Sequence, residues 1–147
     1  MPKRILVPLD RSEVAETIMP LVADLARGAG ATVRLLHVAP VPESLVSTEG
    51  RAIAYADQEM ERLEAEGLDH LKGVATRLGL PAECVVRFGN DADEILREAE
   101  ACGADLLAVA TAGKSGLKRM VMGSVAERVF RRARVPVLLY RPGWIPA

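Results

Sequence analysis

The sequence alternates short apolar runs with longer segments in which apolar residues recur every three or four positions. The clearest run is DLLAVA at 105–110, which lacks the polar alternation of a half-exposed strand and is typical of a strand covered on both faces. In chain order, the runs and segments read βαβαβαβαβ. Because strands that alternate with helices pair in parallel through right-handed crossovers, we predict an α/β fold with an open, five-stranded parallel sheet and helices on both faces.

The bounds of these elements follow from the same periodicity and from glycine and proline stop signals. The predicted strands are Arg4–Leu9, Ala31–Val38, Glu83–Arg87, Asp105–Ala110 and Pro136–Tyr140. The predicted helices are Val14–Arg27, a long helix with apolar residues from Ile53 to Leu78, Asp91–Ala101 and Val125–Ala133. The residues expected to face inward are Ile18, Leu21, Val22 and Leu25 in the first helix, and Ala126, Val129, Phe130 and Ala133 in the last.

Single residues add local expectations to this pattern. Ser12 is predicted to cap the first helix, and Pro20 should bend or split it. Gly67 is expected to weaken the long helix. The stretch from Val41 to about Arg51 has no strong period and is predicted to be a mobile loop.

Length and composition bound the class of protein. The 147 residues, half of them hydrophobic, fit one compact domain over 1–147. The apolar segment after MPKR is broken by Pro8 and Asp10, so we expect no signal peptide. The apolar runs are far shorter than the roughly 20 residues of a membrane span. We therefore expect a soluble, cytoplasmic protein that does not enter a membrane.

Cysteine, histidine and charge patterns point to no metal or nucleic-acid site. Cys84 and Cys102 lack CxxC spacing, and reduced thiols are favoured over a metal or redox role. His37 and His70 stand alone and are read as packed residues. The formal net charge of −1 argues against general nucleic-acid binding. Basic residues dominate between Lys114 and Arg134 and favour a bound anion, although those at 131, 132 and 134 are better explained as the end of a helix.

The stretch AVATAGKS at 108–115 has a partial match to the Walker A loop GxxxxGK[ST]. Its first glycine position is Ala108, which the predicted strand places inside the sheet. A different phosphate cradle fits better, because nine residues separate Gly113 from Gly123-Ser124. The Ser124 and Glu127 spacing predicts a capping box that opens the last helix, whose N-terminus offers free N–H donors and the positive end of its dipole. Lys114 and Ser115 would add side-chain donors.

These residues resemble the universal stress protein family, whose nucleotide-binding members carry the signature GxxGx9G[ST] and an aspartate after the first strand. Here the signature reads Ala110-Thr-Ala-Gly113, nine residues, then Gly123-Ser124, and the aspartate is Asp10 in VPLDRSE. The segments LLHVAP and PVLLY also resemble the family, so the likeness covers nearly the whole chain. Ala110 replaces the first signature glycine; its methyl group would either crowd the ligand or be harmless if its φ is negative.

The resemblance implies a Rossmann-like, adenine nucleotide alpha hydrolase-like fold that binds ATP or a related adenine nucleotide, with Mg or Mn on the phosphates. Asp10 would accept from the ribose hydroxyls or lie near the metal and phosphates, and the backbone of Val38 would hold adenine. The implied phosphate-binding residues are Gly113, Lys114, Gly123, Ser124 and Val125; Pro8, Leu9, Val109 and Ala110 would line the base and sugar pocket. The structural alternatives are that Asp10 and Ser124 cap helices and that Val38 ends a buried strand.

Three functions remain open at the level of the sequence. The leading hypothesis is an ATP-binding regulatory protein of the stress response, in which loop 41–52 orders over the nucleotide and alters the surface offered to a protein partner. The alternatives are a scaffold dimer that binds no nucleotide and a weak ATPase. No general base is visible, so efficient catalysis is not expected. The last strand, PVLLY, is expected to form a homodimer edge, and Trp144 after it would cover that edge, anchor a partner or pack on its own domain.

Overall fold

The computed structural model describes residues 2–42, 50–111 and 123–142, with 50–55 described by their backbone alone. Within these ranges one parallel sheet has the strand order β3-β2-β1-β4-β5. The strands are β1 Arg4–Pro8, β2 Thr32–Ala39, β3 Ala82–Phe88, β4 Leu106–Ala110 and β5 Val137–Tyr140. The helices are α1 Glu13–Glu16, α2 Met19–Ala29, α3 Gly50–Arg77, α4 Asp91–Ala101 and α5 Ser124–Arg132. The predicted fold class is confirmed, and no predicted strand end is wrong by more than one residue.

Two hydrophobic cores lie on opposite faces of the sheet. Alternate residues of β1 point to opposite faces, so Ile5 packs with α2 and α3 whereas Leu6 packs with α4 and α5. The same holds in β4, where Leu107 and Ala108 are both fully buried in different cores. The continuous apolar run in β4 therefore has the cause that the sequence predicted, because helices cover both faces.

The first helical segment is split before Pro20. Ser12 caps α1, as predicted, by accepting a hydrogen bond from the N–H of Ala15 at 3.0 Å. Pro20 lies in the first turn of α2, where its missing N–H costs no intrahelical bond. The new helix start shifts the buried side to Met19, Val22, Ala23 and Ala26. The prediction that Leu21 and Leu25 face inward is therefore wrong: their exposed fractions are 38% and 36%.

The last helix shows a similar deviation. Ala126 and Val129 of α5 are buried as predicted, whereas Phe130 is 53% exposed. The prediction that Phe130 faces inward is wrong because α5 contacts the sheet through a narrow stripe of its surface. Arg131 and Arg132 lie in the last turn of α5, where they complement the helix dipole as expected. None of the helices in the described ranges has the combined length and apolarity that a bilayer crossing requires.

Helix α3 approaches the sheet closely at Gly67. A Cβ atom on Gly67 would lie 2.8 Å from Cγ2 of Val86 and 3.1 Å from Cδ2 of His37. These distances are below ordinary van der Waals contact, so a side chain there would push the helix away from β2 and β3. The sequence identified Gly67 only as a weak point of the helix, whereas the structure gives the glycine a packing reason.

We expect Gly67→Ala and Gly73→Ala to change stability in opposite directions. Alanine favours a helix interior over glycine by up to about 1 kcal/mol. At Gly73 nothing lies within 4 Å of an added Cβ, so the substitution should raise the free energy of unfolding by about that amount. At Gly67 the contacts with Val86 and His37 should outweigh the gain and lower it. Urea denaturation of the two variants tests this, and equal stabilisation of both would contradict the close approach.

A buried network of charges fills the space between α4 and the strands β2 and β3. Glu98 accepts hydrogen bonds from Arg34 at 3.0 Å and from Arg87 at 2.9 Å, and Arg87 also pairs with Glu94 at 3.0 Å. Hydrogen bonding from Arg87, and then from Arg97, holds the pKa of Glu94 below its ordinary value. The stability that this carboxylate contributes is therefore present above the ordinary pKa and is lost as pH falls through the lower, folded-state value.

Candidate functional site

The strand order reverses between β1 and β4, the position at which open α/β sheets form a ligand crevice. The ladder between these strands pairs Ile5 with Leu106 and Leu6 with Leu107. Both strands continue beyond that ladder, to Pro8 and to Ala110. In open α/β sheets, ligands bind outside the carboxyl ends of the strands at such a switch point. Among the predicted site residues, Pro8 and Ala110 are the last residues of these two strands.

The turn after β1 holds Asp10 in a defined position. The Oδ1 atom of Asp10 accepts a hydrogen bond from the N–H of Ser12 at 3.0 Å and another from the hydroxyl of Ser12 at 2.6 Å. Arg11 between them has a φ of 68°, in the left-handed region that few non-glycine residues adopt. Ser12, and not Asp10, supplies the N-cap of α1. The alternative that Asp10 caps the first helix is therefore wrong, and Asp10 instead braces the residue that does.

The backbone N–H of Gly123 joins the start of α5 to the end of β4. It donates to the carbonyl oxygen of Thr111 at 2.6 Å, and the N–H of Thr111 donates to the carbonyl of Tyr140 in β5 at 2.9 Å. A Cβ atom on Gly123 would lie 2.8 Å from the same Thr111 oxygen, so only glycine fits without a shift of the backbone. This Thr111–Gly123 contact fixes the N-terminus of α5 at the carboxyl end of β4.

Helix α5 begins one residue earlier than the capping-box pattern predicts. Gly123 is its N-cap, with extended backbone at φ −62° and ψ 156°, and no side chain caps the helix. Ser124 is therefore the first helical residue and is exposed. The predicted capping box between Ser124 and Glu127 is wrong, because the cap position that its hydroxyl would need is occupied by Gly123. The hydroxyl of Ser124 and the N–H groups of the first turn lie at the same helix end.

The remaining predicted residues fall into three groups. Pro8 and Val38 are half-buried at or near the carboxyl ends of β1 and β2. The side chains of Leu9 and Val109 are buried in opposite cores, Leu9 toward α2 and α3 and Val109 toward α4 and α5. Val125 is half-buried in the first turn of α5. The structure thus brings strand ends and one helix start to a common edge, whereas Gly113, Lys114, Ser115 and Trp144 lie outside the described residues.

Ala110 occupies ordinary strand backbone. It is the last residue of β4 and pairs with Tyr140 of β5. In the described part of the chain the one non-glycine residue with a positive φ is Arg11, so the backbone at Ala110 does not require glycine. Of the two alternatives left open by the sequence, the backbone therefore meets the condition under which the methyl group is harmless.

Charged residues near the end of α5 are engaged away from Gly123. Arg132 pairs with Asp93 at 2.7 Å, and Arg131 pairs with Glu127 at 2.8 Å. They lie at the C-terminus of a nine-residue helix, roughly 13 Å from its start at 1.5 Å per residue. These arginines belong to the helix end, as expected, and not to the cradle.

The cysteines are free thiols, and Cys102 is buried whereas Cys84 is partly exposed. Burial raises the pKa of both thiols, so little reactive thiolate forms at neutral pH. Among the side chains that the structure describes, no three His, Cys, Asp or Glu residues come together as a metal site.

Sequence reasoning missed two residues of this region. Thr111 was not singled out, although its position directly before the loop of the signature makes its carbonyl available to the returning chain. His37 was read only as a packed residue, but it contacts the carbonyl of Leu9, one residue before Asp10. One indication of this contact was available in the sequence, which is that His37 directly precedes Val38, a predicted site residue.

The chain matches known proteins over nearly its whole length. The sequence model of the universal stress protein family matches residues 1–141. The chain belongs to this family. It is 32% identical to universal stress protein YxiE of Bacillus subtilis over 147 aligned positions, which cover 94% of this chain and 98% of the relative. It is 28% identical to universal stress protein MJ0577 of Methanocaldococcus jannaschii, with 96% of each covered.

Solved structures of the family have the same fold. The structure of MJ0577 matches with a TM-score of 0.81 at 27% identity and covers 97% of this chain and 98% of its own. A universal stress protein in complex with cAMP matches with a TM-score of 0.63 at 22% identity, covering 95% of this chain and 97% of its own. The second likeness extends to the fold alone.

Proposed function

We propose that this universal stress protein is a regulatory protein that binds an adenine nucleotide, with ATP as the expected ligand, and that does not hydrolyse it efficiently. The observation that carries the proposal is the Thr111–Gly123 contact. It supports a phosphate site because it holds the first-turn N–H groups of α5, which have no partner within the helix, and its positive dipole end at the sheet switch point. The spacing from Ala110 through Gly123 gives that contact its place in the family signature.

Each part of the ligand has a candidate partner at this edge of the sheet. The phosphates would accept from the N–H groups of Ser124 and Val125 and from the hydroxyl of Ser124. Asp10 would accept from the ribose hydroxyls, and the backbone of Val38 would hold the adenine beside Pro8. Mg or Mn would be carried by the phosphates, with Asp10 as the nearby carboxylate; the metal would neutralise phosphate charge. Carboxylate oxygen is a donor type that both ions accept.

Asp10 is better suited to binding than to proton transfer. Its Oδ1 atom already accepts two hydrogen bonds from Ser12, which fix its orientation. Hydrolysis would require a general base that contacts the attacking water. Among the described residues that are predicted to contact the nucleotide, Asp10 is the one carboxylate and there is no histidine. The bound nucleotide would then act as a signal, with its presence read by a protein partner.

The strand β5 favours a homodimer as the working form. It stands at one edge of the sheet and pairs with β4 on its other side. An apolar edge strand that pairs with a neighbour on one side only leaves the backbone N–H and C=O groups of its other side available to a second copy of the chain. The same edge and the exposed Phe130 support the alternative function, a scaffold dimer that needs no nucleotide.

Titration calorimetry with ATP and Mg distinguishes the two functions. We expect the wild-type chain to bind with a Kd of the order of 1 μM, which corresponds to about −8 kcal/mol. Ala110→Gly should change that affinity by less than about threefold, because the strand backbone accepts either residue. If no adenine nucleotide gives heat of binding or competes for binding to the protein, the scaffold function is favoured.

A further inference from the structure

Both backbone polar groups of Leu9, the N–H and the carbonyl, bind residues of β2. Its N–H donates to the carbonyl of Leu36 at 2.8 Å, which extends the ladder one residue beyond the end of β1. Its carbonyl oxygen lies 3.2 Å from Nδ1 of His37. The carbonyl can only accept, so Nδ1 carries the proton and donates. The side chain of His37 therefore supplies the hydrogen bond that a backbone N–H of β2 would supply if β1 continued. The bond is made at Leu9, directly before Asp10.

The imidazole of His37 is itself fixed by its surroundings. The residue is 8% exposed and lies on the face of the sheet that α3 covers. Gly67 of α3 leaves the space for the ring, since a Cβ there would approach Cδ2 of His37 to 3.1 Å. The ring is therefore confined between the helix and the Leu9 carbonyl. A ring held in this way has little freedom to release its hydrogen bond.

The chain turns sharply between this bond and the start of α1. Arg11 adopts a left-handed φ of 68°, a conformation that persists only when neighbouring contacts hold it. Ser12 braces the turn from one side through Asp10 Oδ1, and His37 holds it from the other through Leu9. Loss of either contact would let the carboxylate move away from the crevice.

We propose that His37 is a positioning residue for the nucleotide site, acting through the carbonyl of Leu9 to hold the turn that carries Asp10. The inference rests on the proposed nucleotide binding, and it gives His37 a role beyond packing. It also links α3 to the site, because the contact between Gly67 and the ring determines where the donor lies.

Two amide substitutions separate the hydrogen bond from the rest of the side chain. The amide nitrogen of asparagine is separated from Cβ by two bonds, as Nδ1 of histidine is. The amide nitrogen of glutamine is separated from Cβ by three bonds, as Nε2 of histidine is. His37→Asn should therefore keep ATP affinity within about threefold of wild type, whereas His37→Gln and His37→Phe should weaken it by about tenfold, the scale of one hydrogen bond. His70→Gln, which alters the other histidine of the chain, should bind as wild type.

The decisive measurement repeats His37→Gln in an Asp10→Ala background. A positioning role predicts that the tenfold effect disappears there, since no carboxylate remains to be placed, whereas a general loss of structure would weaken both backgrounds equally. Unfolding midpoints of all variants accompany the titrations. If His37→Gln does not fold, Gly67→Ala takes its place, because it displaces the ring without removing it.

Four results would overturn the inference. Equal weakening by His37→Gln with and without Asp10 would assign His37 to stability alone. Equal effects of the asparagine and glutamine variants would show that the Nδ1 donor is not what matters, and unchanged binding in every variant would remove the role altogether while leaving nucleotide binding intact. Failure of the wild-type chain to bind any adenine nucleotide would reject the proposed function and this inference together.

Discussion

Gly123→Ala is expected to weaken ATP binding by about a hundredfold or more, the loss of two charge-assisted hydrogen bonds. The added Cβ would lie 2.8 Å from the carbonyl oxygen of Thr111, and this neighbour is backbone in a strand end that β5 also holds. The start of α5 must therefore move, which breaks the hydrogen bond from Gly123 to Thr111. The N–H groups of the first turn then no longer point to one position, so their joint hold on a phosphate is lost.

Gly28→Ala is the matched control for this variant. Gly28 lies in α2, and nothing lies within 4 Å of a Cβ added there, so the substitution tests glycine removal without a clash. It should leave the Kd for ATP unchanged and slightly raise stability. Calorimetric titrations and unfolding curves of both variants give the comparison. Gly123→Ala with wild-type affinity would mean that the N-terminus of α5 does not bind the phosphates.

The strands were predictable because their cause is local and strong. A buried parallel strand is apolar without interruption, and DLLAVA has that composition. Helix α4 has the predicted bounds, Asp91–Ala101, and the structure shows Asn90 as its N-cap, accepting from the N–H of Asp93. Its bounds agree with the prediction to the residue, and the strand ends agree to within one residue.

The errors at α2 and α5 arise where the start of a helix was not located. Periodicity placed Leu21 and Leu25 inside because one helix phase was applied across the split expected at Pro20, and the restart at Met19 changed that phase. Ser124 was assigned the cap because its side chain suits that position, but the close approach of Thr111 reserves the position for Gly123. Neither the helix phase nor the approach is encoded in a local pattern.

The buried polar residues were the least predictable part of the molecule. Glu94 and Glu98 look like the solvent face of α4, and Arg34 and Arg87 interrupt their strands in the manner of exposed positions. Only the assembled fold brings the four together, because β2 and β3 are paired, α4 packs on β2, and Glu94 and Glu98 reach Arg87 of β3. Burial of a charge requires a partner, and the partners are distant in sequence.

Glu98→Gln is expected to lower the free energy of unfolding by about 3 kcal/mol, because it removes the buried carboxylate that pairs with Arg34 and Arg87. The side chain of Glu98 is 5% exposed, and its two oxygens accept from Arg34 and Arg87. Glutamine keeps the shape but removes the charge and turns an NH2 donor toward one of the guanidinium groups, which have no acceptor. One arginine is then left facing a donor in a site that water reaches poorly.

Glu127→Gln provides the surface comparison for that effect. Glu127 is 48% exposed and pairs with Arg131 one helical turn away, so solvent screens the pair and its loss should cost less than about 0.5 kcal/mol. Urea denaturation near neutral pH measures both variants against wild type. A cost at Glu98 no larger than at Glu127 would mean that the buried contacts gain nothing over surface ones. A large cost at Glu98 alone would mean that burial makes each arginine depend on its carboxylate, which is the physical reason for charged residues in this part of the core.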